Sequence, residues 1–171
     1  MEAAVTSGGL STAPWTFAGK LQRLENKTLR YPGHWQTFQA FQQLGLFEQT
    51  PVAMKEDRFI PREVFHTLLQ PKISSDTIRD ICVIRVRCEG EIDGKSAVCT
   101  LDLCETFDEE THFTAMEKFT GWHASMVAIL SAQGKLPKGA IPIEKALSGE
   151  MLKEEAKKRG WVIKNNALLG V

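Results

Sequence analysis

Residues 79–107 read RDICVIRVRCEGEIDGKSAVCTLDLCETF, in which two runs rich in apolar and β-branched residues are joined by Asp93-Gly94. A two-residue Asp-Gly connection between such runs is the strongest short-range signal of a β-hairpin with a type I′ turn. The turn also sets the register, because Ile92 must then lie opposite Lys95. This stretch therefore predicts a long antiparallel strand pair at the centre of the fold.

The predicted register separates an apolar face of the hairpin from a charged face. The opposed pairs on the apolar face are Ile84 with Leu103, Val86 with Leu101, and Cys88 with Cys99. On the other face Arg85 lies opposite Asp102, and Arg87 lies opposite Thr100. These pairs predict a cross-strand ion pair and a cross-strand hydrogen bond.

Cysteine spacing bears on redox state and on metal binding. Cys88 and Cys99 fall in a hydrogen-bonded pair, where side chains stand farther apart. A disulfide there is allowed, but it is disfavoured in a reducing cytoplasm. The four cysteines contain no CxxC spacing, and the four histidines do not complete a zinc pattern. Reduced, buried thiols and no structural metal are expected.

On the N-terminal side of the hairpin, a strand-rich segment precedes two helices. WTFAGKLQRLENKTLR, residues 15–30, predicts one strand or two short ones, and Tyr31-Pro32-Gly33 predicts a turn. Apolar residues at helical spacing predict a helix from His34 that stops at Gly45. A second helix is predicted from Pro61, with Pro71 as its end.

On the C-terminal side the sequence predicts helices and a closing strand. Thr114 and Glu117 have capping-box spacing, and the helix they open contains an interior glycine, Gly121, which often signals close approach of another backbone or a ligand. Its predicted apolar face comprises Met116, Phe119, His123, Val127 and Leu130. Ser148 caps a further helix that Gly160 stops, and WVIK at residues 161–164 predicts a strand. The whole pattern predicts a single α+β domain over residues 1–171, with a mostly antiparallel or mixed sheet and helices packed on one face.

Charge and hydropathy narrow the function classes. The chain of 171 residues carries 21 basic and 21 acidic residues, scattered without a basic face, which argues against nucleic acid or anionic lipid as a partner. No apolar run approaches the roughly 18 residues of a membrane span, and the N-terminus lacks the features of a signal peptide. A cytoplasmic protein without membrane contact is expected.

The segment KTLRYPGHW, residues 27–35, is the candidate binding site. Arg30 can bind a carboxylate through two parallel hydrogen bonds, and Tyr31 and His34 can form hydrogen bonds with an amino or carboxyl group. The structural interpretation is a strand that ends in a Pro-Gly turn, with Arg30 in a surface ion pair and Tyr31 half-buried. Turns rich in these residue types are common, so composition alone favours the structural interpretation.

Motifs of self-sufficient enzymes are missing from the sequence. It contains no GxSxG elbow, P-loop or HExxH, and SGGLS at residues 7–11 lacks the preceding strand of a dinucleotide-binding βαβ unit. His123 on an apolar helix face is read as a core residue, and residues 108–110 as a solvated loop. The catalytic acid and base stay unassigned.

Four segments follow one another along the chain: TSGGLSTAPWTFAGK, KTLRYPGH, FTAMEKFTGWHASMVAILSAQGKLPKGAI and EEAKKRGWVI. Together and in this order they resemble the C-terminal part of the saccharopine dehydrogenase family, including lysine 6-dehydrogenase-like members. The resemblance runs from Thr6 to Ile163. It implies an α+β domain that closes over an amino-acid substrate and mediates dimerisation. An N-terminal Rossmann domain would bind NAD or NADP, and the reaction would be reversible hydride transfer at a carbon bearing nitrogen.

The resemblance also implies site residues. Its substrate-binding positions are Gly8, Gly9, Ser11, Arg30, Tyr31 and His34, with Arg30 anchoring a substrate carboxylate. Its positions facing the cofactor domain are Met116, Thr120 and Gly121. Saccharopine-forming relatives tend to have glutamine in place of Pro32. The Pro-Gly-His version leans toward the lysine 6-dehydrogenase-like branch and leaves the substrate open.

Two functional hypotheses follow. The first is the substrate-binding and dimerisation domain of an NAD(P)-dependent amino-acid oxidoreductase that acts on a C–N bond in lysine or saccharopine metabolism. Without its Rossmann half the chain is expected to be inactive, to bind no cofactor alone, and to form a homodimer. An exposed apolar patch around Met116, Trp122 and Met126 is expected where the other domain would lie. The alternative is a stand-alone, non-catalytic module that binds an amino acid or a partner protein.

Overall fold

A computed structural model describes residues 1–5 and 8–169. The chain divides into two compact units, Met1–Asp76 and Thr77–Val171. Helices combine with strands that pair only in antiparallel fashion within the described residues, so the α+β class is confirmed. The strands form three separate sheets instead of one. The division into two compact units does not test whether residues 1–171 act as a single domain, so that stays a prediction.

The first unit holds two small sheets and three helices. Its elements are β1 (Glu2–Val5), α1 (Ala13–Thr16), β2 (Lys27–Arg30), α2 (His34–Gln43), β3 (Val52–Met54), β4 (Asp57–Phe59) and α3 (Pro61–Ile73). Strand β1 pairs with β2, and β3 pairs with β4. The predicted strand over residues 15–30 was wrong in its first part. Pro14 lies in the first turn of α1, where its fixed φ suits a helix, and the strand is confined to β2.

Helix α2 ends as the sequence predicts, whereas α3 does not. Gly45 has a φ of 80° and its amide donates to the Gln42 carbonyl at 2.9 Å, which closes α2. Helix α3 begins at Pro61 but continues through Pro71 to Ile73. Proline in the last turn removes a single backbone hydrogen bond, which the helix tolerates. The unit packs around the buried ring of Phe65.

The second unit is built on the long hairpin. Its elements are β5 (Ile81–Ile92), β6 (Lys95–Thr106), α4 (Ala115–Glu117), a π-helical segment (Lys118–Trp122), α5 (His123–Ala132), α6 (Ile143–Ala146), α7 (Gly149–Lys158) and β7 (Lys164–Leu169). The predicted register is confirmed at every opposed pair of the hairpin. Arg85 forms the predicted ion pair with Asp102. Arg87 contacts Glu89 on its own strand, so its predicted bond to Thr100 was wrong.

Strand β7 pairs antiparallel with β6 and begins later than predicted. It starts at Lys164, the last residue of the predicted WVIK strand. Trp161 is buried with Met126 and Ala156 and belongs to the core of this unit. Because the indole of Trp161 packs in this core, the chain pairs with the edge of the sheet only from Lys164 onward.

A helical layer covers one end of the apolar sheet face. Leu103 of β6 packs against the cluster formed by Met126, Ala156 and Trp161. Within this layer Met126 is fully buried while Met116 is exposed, so the predicted apolar face was wrong at its first residue. The π-helical segment inserts a wider turn and shifts the phase of the helix after it.

Candidate functional site

The turn that opens α2 depends on Gly33. This residue has a φ of 88°, in the left-handed region that glycine adopts without steric cost. The amide of His34 donates to the Tyr31 carbonyl at 3.2 Å, which closes the turn predicted from Tyr31-Pro32-Gly33. The turn therefore places Tyr31 and His34 side by side at the helix start.

A shallow concavity of about 340 Å³ lies at this turn, and we refer to it as the α2 concavity. Its lining residues are Tyr31, Pro32, Gly33, His34, Thr37 and Phe38. The imidazole of His34 stacks on the Phe38 ring with centroids 4.6 Å apart, and it meets the Trp35 ring edge-on at 4.8 Å. These ring contacts restrict the orientation of His34. Tyr31 is exposed, not half-buried, and its hydroxyl is open to a ligand.

Arg30 lies at the end of β2, outside the lining of the concavity. Its side chain is exposed, and its guanidinium donates to the Leu29 carbonyl at 2.9 Å. Among residues 1–5 and 8–169 it forms no ion pair, so the surface ion pair of the structural interpretation was wrong. Its remaining donors face solvent, one residue before Tyr31.

A carboxylate that the sequence analysis missed occupies the start of α2. Glu2 accepts hydrogen bonds from the amide of Gly33 at 2.6 Å and from the amide of Trp35 at 3.4 Å. Glu2 reaches this position because β1 pairs with β2 and places it opposite Arg30. No local pattern signals this contact. The amides of Gly33, His34 and Trp35 are thus already used by the protein, so a ligand at this turn would rely mainly on side chains.

The glycine-rich turn lies at the other end of the β1–β2 pair. Val5, the last residue of β1, is opposite Lys27, while Glu2 is opposite Arg30. The turn at Gly8, Gly9 and Ser11 follows Val5, so the length of β2, about 10 Å at 3.3 Å per residue, separates that end from Arg30. The structure does not bring the two halves of the predicted substrate site into direct contact.

Within the glycine turn, local geometry accounts for both glycines but not for Ser11, whose φ lies in a region that is uncommon for residues with a side chain. Gly8 has a φ of 88° and Ser11 has a φ of 45°. A Cβ on Gly9 would overlap the side chain of Asn26, which precedes β2. Gly9 is therefore required by close approach to the protein's own chain. The residues Thr6 and Ser7 that precede this turn lie outside the described residues.

The residues predicted to face the cofactor domain lie in the second unit and are exposed. Met116 belongs to α4, and Thr120 and Gly121 belong to the π-helical segment. A Cβ on Gly121 would meet no atom within 4 Å among the described residues. This surface is open, as a docking role requires, but the predicted patch was wrong at Met126, which is buried.

Three contacts hold the start of this helical segment. The carboxylate of Asp80 accepts from the amides of Ala115 at 2.6 Å and Met116 at 2.9 Å. The predicted capping box is confirmed, and hydrogen bonds from the Thr114 amide and hydroxyl lower the pKa of Glu117. The ammonium of buried Lys118 pairs with Glu105 of β6. The exposed residues are thus displayed on a well-anchored element.

A family model described as Saccharopine dehydrogenase C-terminal domain matches residues 3–160. The chain belongs to this family. Saccharopine dehydrogenase C-terminal domains are parts of saccharopine dehydrogenase-like enzymes, which are NAD(P)-dependent oxidoreductases in general. The match covers most of both units, including the α2 concavity and the exposed helical segment, and it ends before β7.

Dinucleotide binding by this saccharopine dehydrogenase C-terminal domain does not fit the residues present. In a dinucleotide site, a glycine-rich loop joins a parallel strand to a helix whose N-terminus meets the pyrophosphate. Here β1 pairs antiparallel with β2, and the glycine turn leads into α1, a helix of 4 residues. The glycine-rich turn therefore lacks the geometry of a pyrophosphate site.

Two further features of the domain concern metals and membranes. Among residues 1–5 and 8–169, no three His, Cys, Asp or Glu side chains come together as a metal site would require. No helix formed by these residues is both long enough and apolar enough to traverse a bilayer.

Proposed function

We propose that this domain supplies the substrate-binding and dimerisation surfaces of an NAD(P)-dependent oxidoreductase that acts on a C–N bond of an amino acid in lysine or saccharopine metabolism. Membership in the family supports the reaction class. The observation that carries the binding role is the α2 concavity, which gathers Tyr31 and His34 on one wall. The nicotinamide is supplied by a separate Rossmann domain.

The groups at the α2 concavity match the groups of an amino acid. Arg30, exposed beside Tyr31, offers a guanidinium that can form two parallel hydrogen bonds to a carboxylate. The Tyr31 hydroxyl and the His34 imidazole can accept from an ammonium group. Phe38 gives an apolar wall for an aliphatic stem such as that of lysine.

An unsatisfied donor in the first turn of α2 adds support. The indole nitrogen of Trp35 is buried without a hydrogen-bond partner among the described residues. A buried unpaired donor costs about 1–3 kcal/mol. A water molecule or a polar ligand group that reached this N–H would remove that cost.

Titration of the ¹⁵N-labelled chain with lysine and with saccharopine, followed by amide chemical shifts, tests the binding role. We expect the amides of Tyr31, Gly33 and His34 to shift on addition of the preferred amino acid. Arg30→Ala should weaken binding by about 1.5–3 kcal/mol, the value of a charged hydrogen bond. The reason is that the substrate carboxylate loses its cationic partner.

Arg23→Ala is the matched control. Arg23 is also an exposed arginine of the first unit, but it is paired with Glu25, so its loss should leave the affinity unchanged. Equal affinity of the Arg30→Ala and parent chains would show that Arg30 does not anchor a carboxylate. Shifts confined to residues outside the α2 concavity would place the binding site elsewhere.

A further inference from the structure

Two cysteines lie directly opposite each other on the long hairpin. Cys88 of β5 is the cross-strand partner of Cys99 of β6, so both thiols are on the same sheet face, and both are free. The pair that closes a two-residue turn exchanges both backbone hydrogen bonds, and every second pair repeats this geometry. In such pairs the Cα atoms are about 5.5 Å apart, within the range that a disulfide spans.

The two thiols differ in access and in contacts. Cys88 is exposed, so the expectation of a buried thiol was wrong there. Cys99 is half-buried and donates its S–H to Oδ1 of Asn165 on β7 at 3.5 Å. The other cysteines have different cross-strand partners, because Cys82 is opposite Glu105 and Cys104 is opposite Val83. Only one cysteine pair of the hairpin is therefore aligned for a direct link.

We propose that Cys88 and Cys99 form a reversible dithiol modification site whose oxidants are low-molecular-weight disulfides such as oxidised glutathione. The site lies on β5 and β6 in the second unit and does not depend on the α2 concavity. Its chemistry stands whether or not the chain binds an amino acid.

The exchange proceeds in two balanced steps. The exposed Cys88 thiol loses its proton to solvent, and its sulfur attacks one sulfur of oxidised glutathione, whose S–S bond breaks to release one glutathione thiolate. Cys99 then loses its proton and attacks the Cys88 sulfur of the mixed disulfide, which releases the second glutathione thiolate. Both thiolates are protonated. The protein loses two hydrogen atoms, and the oxidant becomes two glutathione thiols.

The register makes this disulfide a labile one. Side chains of a hydrogen-bonded pair stand farther apart than those of a non-hydrogen-bonded pair, so the strands must shift to bring the two sulfurs together. Exposed or strained disulfides are more easily reduced than buried structural ones. Oxidation also removes the S–H of Cys99, so its side-chain hydrogen bond to Asn165 is lost while the backbone pairing of β6 with β7 stays.

Peptide mapping of the full chain tests the proposal. The reduced Cys104→Ser chain is incubated with oxidised glutathione, alkylated and cut with trypsin. Trypsin separates Cys88, on residues 88–95, from Cys99, on residues 96–118, and from Cys82, on residues 80–85. The Cys104→Ser change leaves Cys99 as the single cysteine of its peptide. We expect the 88–95 and 96–118 peptides to be joined by a disulfide that an excess of reduced glutathione cleaves.

Single variants check the order of the steps. Cys99→Ser should trap glutathione on Cys88, because the second thiol is missing, and Cys88→Ser should abolish the linked peptides. The proposal is overturned if Cys88 becomes fully glutathionylated without forming the link while Cys99 is present. It is equally overturned if Cys82 is linked as often as Cys99, or if the link resists excess reduced glutathione.

Discussion

Gly33 has no side chain with which to cap α2. The carboxylate of Glu2, a residue of β1, caps this helix instead. Its charge is also favourable beside the positive end of the helix dipole. The same arrangement recurs in the second unit, where Asp80 accepts from two amides at the start of α4. In each unit an acidic residue in or next to a strand, Glu2 or Asp80, thus holds the start of a helix that carries predicted site residues.

Glu2→Ala should therefore lower the free energy of unfolding by about 1–2 kcal/mol, because the amides of Gly33 and Trp35 lose their acceptor. Urea unfolding followed by circular dichroism measures the change. Glu56→Ala, on the exposed turn between β3 and β4, is the control and should stay within about 0.5 kcal/mol of the parent chain. Equal losses in the two variants would contradict the capping role.

Glu155 of α7 links stability to pH. Its carboxylate is buried and accepts from Lys158 at 2.6 Å and from Arg159 at 2.7 Å. These two hydrogen bonds, that of Lys158 first, lower the pKa of Glu155 below its usual 4.5. A carboxyl group with a lowered folded-state pKa stabilises the fold above its unfolded pKa. That contribution is lost as the pH falls through the folded value.

Glu155→Gln should consequently destabilise the chain at neutral pH, and the difference from the parent should shrink as the pH falls below about 4.5. Urea midpoints recorded across this range give the two curves. Glu154→Gln changes the exposed neighbour on the same helix and should leave the pH dependence unchanged. Parallel curves for the Glu155→Gln and parent chains would exclude the linkage.

At the scale of elements, the π-helical segment separates the exposed surface of α4 from the buried side of α5. Gly121 lies in this segment, and a Cβ there would meet open space among the described residues. Its φ is outside the left-handed region, so the backbone does not require glycine. The fold of the second unit therefore does not explain this glycine, and docking of another domain remains its proposed reason.

Gly121→Ala should raise the free energy of unfolding by about 0.5–1 kcal/mol, because alanine restricts the unfolded chain more than glycine does. Thermal unfolding measures the effect. Gly134→Ala is the contrast, since Gly134 has a φ of 69° and alanine there should cost about 1–2 kcal/mol. A loss of stability in Gly121→Ala would mean that the fold itself needs this glycine.

Elements were predictable from the sequence where the decisive contacts are local. Asp93-Gly94 specifies the hairpin and, with it, the pairing of Ile84 with Leu103, which lies eight residues along each strand from the Ile92–Lys95 pair at the turn. Ser148 caps α7 as predicted, with its hydroxyl accepting from the Met151 amide. The strand predictions failed for residues 15–26 and 161–163. There, a helical turn at Pro14 and the burial of Trp161 outweighed strand-like composition.

At the scale of the whole molecule, part of the apolar sheet face is uncovered. The helical layer covers Leu103 on β6, but its β5 partner Ile84 is 39% exposed, and Val86 and Ile92, nearer the hairpin turn, are 48% and 56% exposed. Exposed apolar side chains that share one face tend to promote association. This face is our candidate for the dimer contact of the proposed function, and because Cys88 and Cys99 lie on the same face, we expect oxidised glutathione to react with them in the monomer.

Val86→Lys should convert the proposed dimer into a monomer, because a charge would be buried at the contact. Light scattering coupled to size-exclusion chromatography measures the mass, and circular dichroism checks the fold. Arg87→Glu, one residue along on the opposite face, is the matched control and should leave the mass unchanged. A monomeric parent chain, or a Val86→Lys chain that still dimerises, would contradict the assignment.

The sequence by itself determined the α+β class, the hairpin register, the capped helix starts and the Tyr31–His34 turn, because each depends on residues close together in the chain. Only the tertiary structure decided that Glu2 caps α2 across 31 positions and Asp80 caps α4 across 35. It also placed the Gly8–Ser11 turn and Arg30 at opposite ends of the β1–β2 pair. Strand pairing and side-chain burial join distant segments, and no local pattern encodes which segments will meet.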